Sequence, residues 1–416
     1  MTDFYAEAQK LFSYSQSIRR DLHMHPELGY QEVRTSGIIA KELRELGLET
    51  TTGIAKTGVM ALLEGEKPGP VIMLRFDIDA LPIREETGAE YASKNPGVMH
   101  ACGHDGHVAI GLTVARLLNQ HRDEINGAIK LVFQPAEEGM GGAERMIHEG
   151  AMQNPSPVHC LGLHIWNNNP IGWLGIAAGP VMAGAATFKV IVTGKGGHAA
   201  FPHLTIDPVL AAAHIVSAAQ SIVARNVDPQ QAAVVSFTTI HGGEAFNVIP
   251  PQVEMTGTIR YFEQPVREVV FARFEQVAHS VAEGLGCQAS VEIRELTPAV
   301  VNDPQVTKSV QRAAENTLPG HTIDERGHIT MGAEDFAYYQ QKAPGAYFFV
   351  GSNNAEKGLD YGHHHPKFDF DEGVLPRAAA LMAAAILREA LGSTARNLPL
   401  EGRSKPAFQR GFGRGA

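Results

Sequence analysis

Cysteine is scarce in this chain: Cys102, Cys160 and Cys287 are the only three in 416 residues, and their spacing is irregular. No disulfide framework is implied, and a reducing compartment fits best. C-x-x-C and C-x-x-C-H are both missing, which removes thioredoxin-like redox chemistry and c-type haem attachment. The opening MTDFYAEAQK has neither a basic stretch nor an apolar one behind it, so no secretory signal is read there. No apolar run approaches the ~20 residues of a membrane span. Positive charge is also short, with 35 Lys and Arg against 45 Asp and Glu and a formal net charge of -10. Such a balance argues against nucleic acid or an anionic membrane as a partner. A single local arginine can still bind a carboxylate. A cytoplasmic enzyme is the expectation.

What the chain does have is length, an ordinary 44% hydrophobic content and 19 histidines. Its length predicts more than one domain. Ala8, Leu11, Tyr14, Ile18 and Leu22 predict an opening helix. A second helix carries Ile38, Ile39, Leu43 and Leu46. GVMALLEG and VIMLRF, separated by a KPGP turn, then read as strands. Strands AIKLVF and VHCLGLHI, the latter ending near His164, alternate with helical stretches after His104 and at GAERMIHEGAM. This alternation predicts an α/β fold, a mixed and mostly parallel sheet covered by helices. From Ala186 to Val300 the order becomes β-α-β-β-α-β, the pattern of a ferredoxin-like unit. Residues 1–185 and 301–392 therefore read as two parts of a catalytic domain, 186–300 as an inserted lid or dimerisation domain, and 393–416 as a flexible basic tail.

Chemistry-bearing residues fall where this fold would gather them. Asp77 and Asp79 follow one strand, Glu137 and Glu138 another, His164 ends a third, and Cys102 and His104 precede a helix. In open α/β sheets the ligand crevice lies outside the carboxyl ends of the strands. His363, His364 and His365 follow the apolar strand AYFFVG. One thiolate with imidazoles and carboxylates is not a structural zinc knuckle, which pairs its cysteines. It suits a metal site that activates water, with one of the adjacent glutamates ligating and the other taking a proton. Each element also has a plainer reading. Cys102 is a buried thiol, Glu137 and Glu138 an acidic turn, His198 a loop histidine, and Asp77 and Asp79 strand-end turn formers. His100 and His107 pack near the site, while His23 and His25 cap a helix.

RRDLHMHPELGYQE, DIDALPI, HACGHDGH, FQPAEEG with GLH, GKGGHAAFPH, NVIP and GAEDFAYY run in order from Arg19 to Tyr339. Together they resemble the metal-dependent aminoacylase-type amidohydrolases, in the subgroup of hippurate and auxin-conjugate hydrolases. The resemblance implies metal ligands at Cys102, His104, Glu138, His164 and His364, the last fixed by the His-x-Pro register with Pro366. It implies Glu137 as general base and then acid, and Asp77 and Asp79 as residues that orient the ligands. His198 resembles a residue that reaches a partner subunit's site and polarises the scissile carbonyl, and Asn247 and Arg260 resemble substrate-binding helpers. The implied enzyme is a homodimer or higher homo-oligomer joined through the inserted domain, with two divalent ions per subunit, zinc or manganese. It would hydrolyse N-acyl amino acids to a carboxylic acid and a free amino acid. A deacetylase of N-acetyl-diaminopimelate type or a carboxypeptidase is the alternative within the family, and a metal-binding scaffold the one outside catalysis.

Overall fold

The computed structural model describes residues 2–326 and 329–387; the basic tail expected over 393–416 lies outside them. Helices α1 (Phe4–Lys10), α2 (Phe12–Met24) and α3 (Val33–Glu45) precede strands β1 (Glu49–Ile54), β2 (Gly58–Glu64) and β3 (Lys67–Asp77). Then come α4 (His104–Gln120), β4 (Asn126–Gln134), α5 (Gly142–His148), β5 (His159–Pro170), β6 (Trp173–Gly175) and β7 (Gly179–Met182). The next stretch holds β8 (Gly184–Thr193), β9 (Gly197–His198), α6 (Pro208–Asn226), β10 (Ala233–His241), β11 (Val248–Ile249), β12 (Gln252–Tyr261), α7 (Gln264–Gly284) and β13 (Gln288–Thr297). Finally there are β14 (Val300–Asn302), α8 (Pro304–Thr317), β15 (Thr322–Asp324), α9 (Ala337–Gln340), β16 (Gly345–Asn353) and α10 (Val374–Leu387).

Among the described residues the main sheet has eight strands in the order β1-β2-β4-β3-β5-β16-β6-β15. Its centre is parallel, β4 to β3 to β5 to β16, while β1-β2, β2-β4 and β16-β6 pair antiparallel. Helices α1–α4, α8 and α10 bury Leu22, Leu43, Leu112, Val310 and Leu381 against one face. On the other face Met146 of α5 and Tyr339 of α9 pack with Met73, Val132 and Phe349. A sheet buried on both sides explains why its strands read as nearly continuous apolar runs.

Three local expectations are corrected. The opening helix is two, since Leu11 (φ -91, ψ 3) leaves helical geometry between α1 and α2. A change of axis over one residue preserves the apolar spacing, so periodicity could not show it. KPGP is not a turn but the start of β3, where Lys67 pairs with Asn126 across an irregular register. The strand with His164 does not end there. Its pairing with β3 stops at Arg75–Gly162, but β16 carries β5 on to Pro170. His164 thus lies just past the end of one neighbour, at the carboxyl edge of the parallel centre.

The inserted unit is β8-α6-β10-β12-α7-β13 with antiparallel sheet order β10-β12-β8-β13, the ferredoxin-like arrangement. Alternate residues of β8, Ala186, Phe188, Val190 and Val192, face α6 and α7. Asp207 caps α6 by accepting from the Val209 and Leu210 amides, and Pro208 fills the first helical position. By length and composition α6 passes for a membrane span. Its Ala211, Ala212, Ile215, Ala219 and Ile222 are nonetheless buried on the sheet, as in an ordinary core helix.

Candidate metal centre

The parallel strands deliver their carboxyl ends to one rim, and the turn into α4 completes it. Gly103 (φ 92) supplies the left-handed residue that lets Cys102 precede, and His104 open, that helix. Cys102 Sγ lies 3.5 Å from His164 Nε2. Ligand atoms of Cys102, His104 and His164 all fall within 4.8 Å of one another, as do those of Cys102, Glu138 and His364, and those of His104, Glu137 and Glu138. The sequence thus brings its distant candidates to one place. His364 Nε2 is 3.2 Å from Glu138 Oε1.

Second contacts set which imidazole nitrogen is free. His104 Nδ1 donates to the Asp79 carbonyl at 2.9 Å, with Asp79 Oδ1 at 3.2 Å. His164 Nδ1 donates to the Ile165 carbonyl at 2.6 Å. Their Nε2 lone pairs therefore face the cluster. Asp77 serves a different histidine from the expected ligands. It accepts a hydrogen bond from His107 Nδ1 at 2.5 Å, while His107 Nε2 accepts from the Ile165 amide at 2.9 Å. With both nitrogens engaged, His107 braces the His164 ring, 4.6 Å away and edge-on.

The three consecutive histidines separate cleanly. His363 is turned inward, its Nε2 accepting from the Asn167 amide at 3.2 Å among the rings of His164, Trp166 and Phe368. His365 stacks on Tyr361 at 4.5 Å. His364, in a left-handed conformation (φ 64), alone of the three reaches Glu138. His25 donates to the Asp21 carbonyl at 2.9 Å, near the end of its helix, as the plainer reading has it. His23 is instead buried against Asp105 (2.8 Å) and Glu85 (3.3 Å). His100 is buried with neither ring nitrogen bonded, and burial lowers its pKa to about 4.

The cluster's electrostatics ask for cations. Burial opposes charge on His104, yet Asp77 and Asp79 raise its pKa to about 10. Burial, then Glu334 and Glu138, push the Glu137 carboxyl well above its usual range. Burial, then Glu138 and Glu137, do the same to the Cys102 thiol. His104 Nε2 is buried with no hydrogen-bond partner. A thiol, imidazoles and carboxylates crowded round such an unpartnered nitrogen fit divalent metal ions, which would displace the proton it otherwise holds.

Sequence reasoning missed the charged network beneath Glu137. Arg75, fully buried, donates to Gln134 (2.8 Å) and Asp77 (2.6 Å) and lies 2.9 Å from both Glu334 and Asp335. Glu334 and Asp335 have ligand atoms within 4.8 Å of Glu137. A charged residue inside VIMLRF and an acidic pair in the apolar GAEDFAYY were the available signals. Arg19 is a second buried arginine, bound to Asp105 at 2.9 Å and Asp369 at 2.6 Å.

His198, Asn247 and Arg260 are not part of this cluster. Among the described residues none makes a hydrogen bond, ion pair or ring contact with it. His198 and Asn247 are exposed on the short β9–β11 pair, where the Ala199 amide donates to the Asn247 carbonyl. Arg260 lies on the helix-free face of the inserted sheet, bonded to Thr258 Oγ1 and the Ile259 carbonyl. No carboxylate pairs with it among the described residues. A cavity of about 750 Å³ lies between the two units, lined by Gly139, Met140 and Tyr338 on one side and Arg294 and Leu296 on the other.

Fold and site together define a metal-dependent hydrolase of linear amides. The chain belongs to Peptidase family M20/M25/M40, whose profile matches residues 73–388. It is 42% identical to an N-acetylcysteine deacetylase of Bacillus subtilis (strain 168) over 368 residues, 88% of this chain and 94% of that protein. It is 39% identical to the IAA-amino acid hydrolase ILR1-like 4 of Arabidopsis thaliana over 387 residues, 92% of this chain and 87% of that one. The solved structure of the Bacillus subtilis YXEP protein, described as a dinuclear metal binding peptidase from the M20 family, superposes with a TM-score of 0.81. That pair shares 37% identity, over 91% of this chain and 98% of the other.

Proposed function

We propose that the protein hydrolyses N-acyl amino acids, releasing a carboxylic acid and a free amino acid. The observation that carries this reading is the meeting of Cys102, His104, Glu138, His164 and His364, with Glu137 beside them as a second glutamate. Cys102 belongs to two of the overlapping groups, which favours two ions, zinc or manganese, held by these five residues. Bound there, divalent ions supply Lewis acidity and lower the pKa of water from 15.7 toward ~7. Glu137 takes the proton from the attacking water and returns it to the departing amine nitrogen. Asp79 orients His104, and Asp77 orients His107 behind His164.

Substrate polarisation falls to the inserted unit, which we assign to residues 186–300. The Ala200 amide donates to His198 Nδ1 at 3.1 Å, so neutral His198 carries its proton on Nε2, ready to donate to a carbonyl oxygen. Arg260, without an acidic partner among the described residues, suits the α-carboxylate of the amino acid, and Asn247 lies immediately before β11, the strand paired with the one carrying His198. Their separation from the cluster within one chain supports a homodimer in which His198 serves the partner. Exposed Phe201, Leu204, Leu210, Phe246 and Val248, together with edge strand β10, supply an apolar surface for it. Three buried free cysteines accord with a cytoplasmic setting.

The test is a screen of acetyl-, benzoyl- and indoleacetyl-amino acids after reconstitution with zinc, manganese or cobalt. Release of amino acid from at least one class is expected. Failure with all three, while dipeptides are cleaved, would replace this reading with a peptidase.

A further inference from the structure

The acidic loop after β4 is held by carboxylates from three separate segments, each accepting one backbone N–H. Asp79 Oδ2 accepts from Glu138 at 3.1 Å, Asp335 Oδ2 from Ala143 at 2.9 Å, and Glu32 Oε1 from Ala136 at 3.0 Å. Glu32 is the unusual member. It comes from the entry to α3, is fully buried and, among the described residues, has no basic side chain bonded to it. Its other oxygen accepts from Thr57 Oγ1 at 2.6 Å.

Ala136, the residue it grips, immediately precedes Glu137 and has φ 56. A residue with a Cβ stays in the left-handed region only where its surroundings over-determine it. Here they do. Gly29 lies so flat on the loop that a Cβ there would sit 3.2 Å from Ala136 Cα and 2.8 Å from Met140 Sδ. The Gly142 amide closes the loop by donating to the Ala136 carbonyl at 3.1 Å.

We propose that Glu32 is a positioning residue for hydrolysis. Its carboxylate fixes the left-handed turn at Ala136 and so aims the Glu137 side chain, while Glu138 is held separately through its amide by Asp79. Without that acceptor Ala136 relaxes toward negative φ and the base swings from its working direction. This rests on the assignment of Glu137 and Glu138 above, and one of its two readouts is independent of that assignment.

The experiment compares Glu32→Asp, Glu32→Gln and Glu32→Ala with the parent. It measures kcat and KM on whichever acyl class is turned over, metal content, and amide hydrogen exchange of residues 136–138 in the metal-free protein. Asp keeps the charge but withdraws the oxygen by one methylene; Gln keeps the acceptor and gives Thr57 a donor. A misplacement of ~1 Å costs roughly 10²-fold in rate. Asp and Ala should therefore lose about that factor in kcat, with KM within about threefold, parental metal content and faster exchange. Gln should stay within about threefold of the parent. Parental kcat and exchange in Glu32→Asp would overturn the proposal. So would a Gln variant as slow as Asp, since charge rather than aim would then matter. If Glu32→Ala fails to fold, the Asp and Gln pair decides alone. Altered exchange with an active Glu137→Gln enzyme would keep the clamp and discard the base.

Discussion

The two sheets of this molecule treat their polar residues in opposite ways. In the main sheet the carboxyl rim is closed: Arg75, Asp77, Asp79, His104, His107 and Asp335 are buried and nearly every polar atom has a partner. In the inserted sheet the functional candidates are open. His198 and Asn247 are exposed, Arg260 lacks an acid, and Phe246 is 100% exposed. A buried, over-constrained site keeps its geometry without substrate, and its thiol, imidazoles and carboxylates suit cations. The open surface lacks a covering, and in the proposed reading a second copy and the substrate provide it.

The largest effect that would break this contrast is metal removal. Chelation should take amide hydrolysis to background, with activity returning on adding back zinc, manganese or cobalt. A stripped protein with full turnover would refute the closed rim as the catalytic centre. Next is Glu137→Gln. Loss of a positioned base costs roughly 10²–10⁴-fold, and metal analysis should match the parent, because Glu137 is not among the five assigned ligands.

His198→Ala sharpens the other side. Losing one oxyanion donor costs roughly 10²–10³-fold in kcat, with metal content unchanged. If His198 serves the neighbouring subunit, mixing inactive His198→Ala and Glu137→Gln proteins and letting subunits exchange should restore activity, since one site of each mixed dimer is then intact. No recovery despite exchange, shown by differently tagged chains co-purifying, would make the open surface a single-chain device.

Much of the closed rim was legible in the sequence because its residues sit where apolar pattern breaks off, at strand ends into Asp77 and Glu137 and at Cys102 in the turn that opens α4. The β-α-β-β-α-β order was legible for the same reason: periodicity reports the local backbone. What periodicity does not report is pairing across the chain. Nothing local says that Asp77 serves His107, that Arg75 meets Glu334 and Asp335 some 260 residues later, or that Glu32 grips Ala136. The left-handed turns at Ala136 and His364 were equally hidden, since neither is the glycine that normally marks one.

The smallest effect belongs to a buried histidine outside the candidate metal cluster. His23 is bound to Asp105 and Glu85 beside Arg19. Burial and Arg19 oppose its charge, but Asp105 and Glu85 prevail and raise its pKa from 6.5 to about 8. A pKa higher in the folded chain means the folded state holds the proton more tightly. The resulting stability is fully present below pH 6.5 and is lost as pH rises through about 8. That shift corresponds to about 2 kcal/mol. Urea midpoints at fixed metal loading should therefore fall between pH 6 and pH 8.5 by more in the parent than in His23→Gln, which cannot titrate. Equal slopes would mean that His23 is neutral in the fold, held there by burial as His100 is, and that the Arg19 cluster carries no pH dependence of its own through this residue.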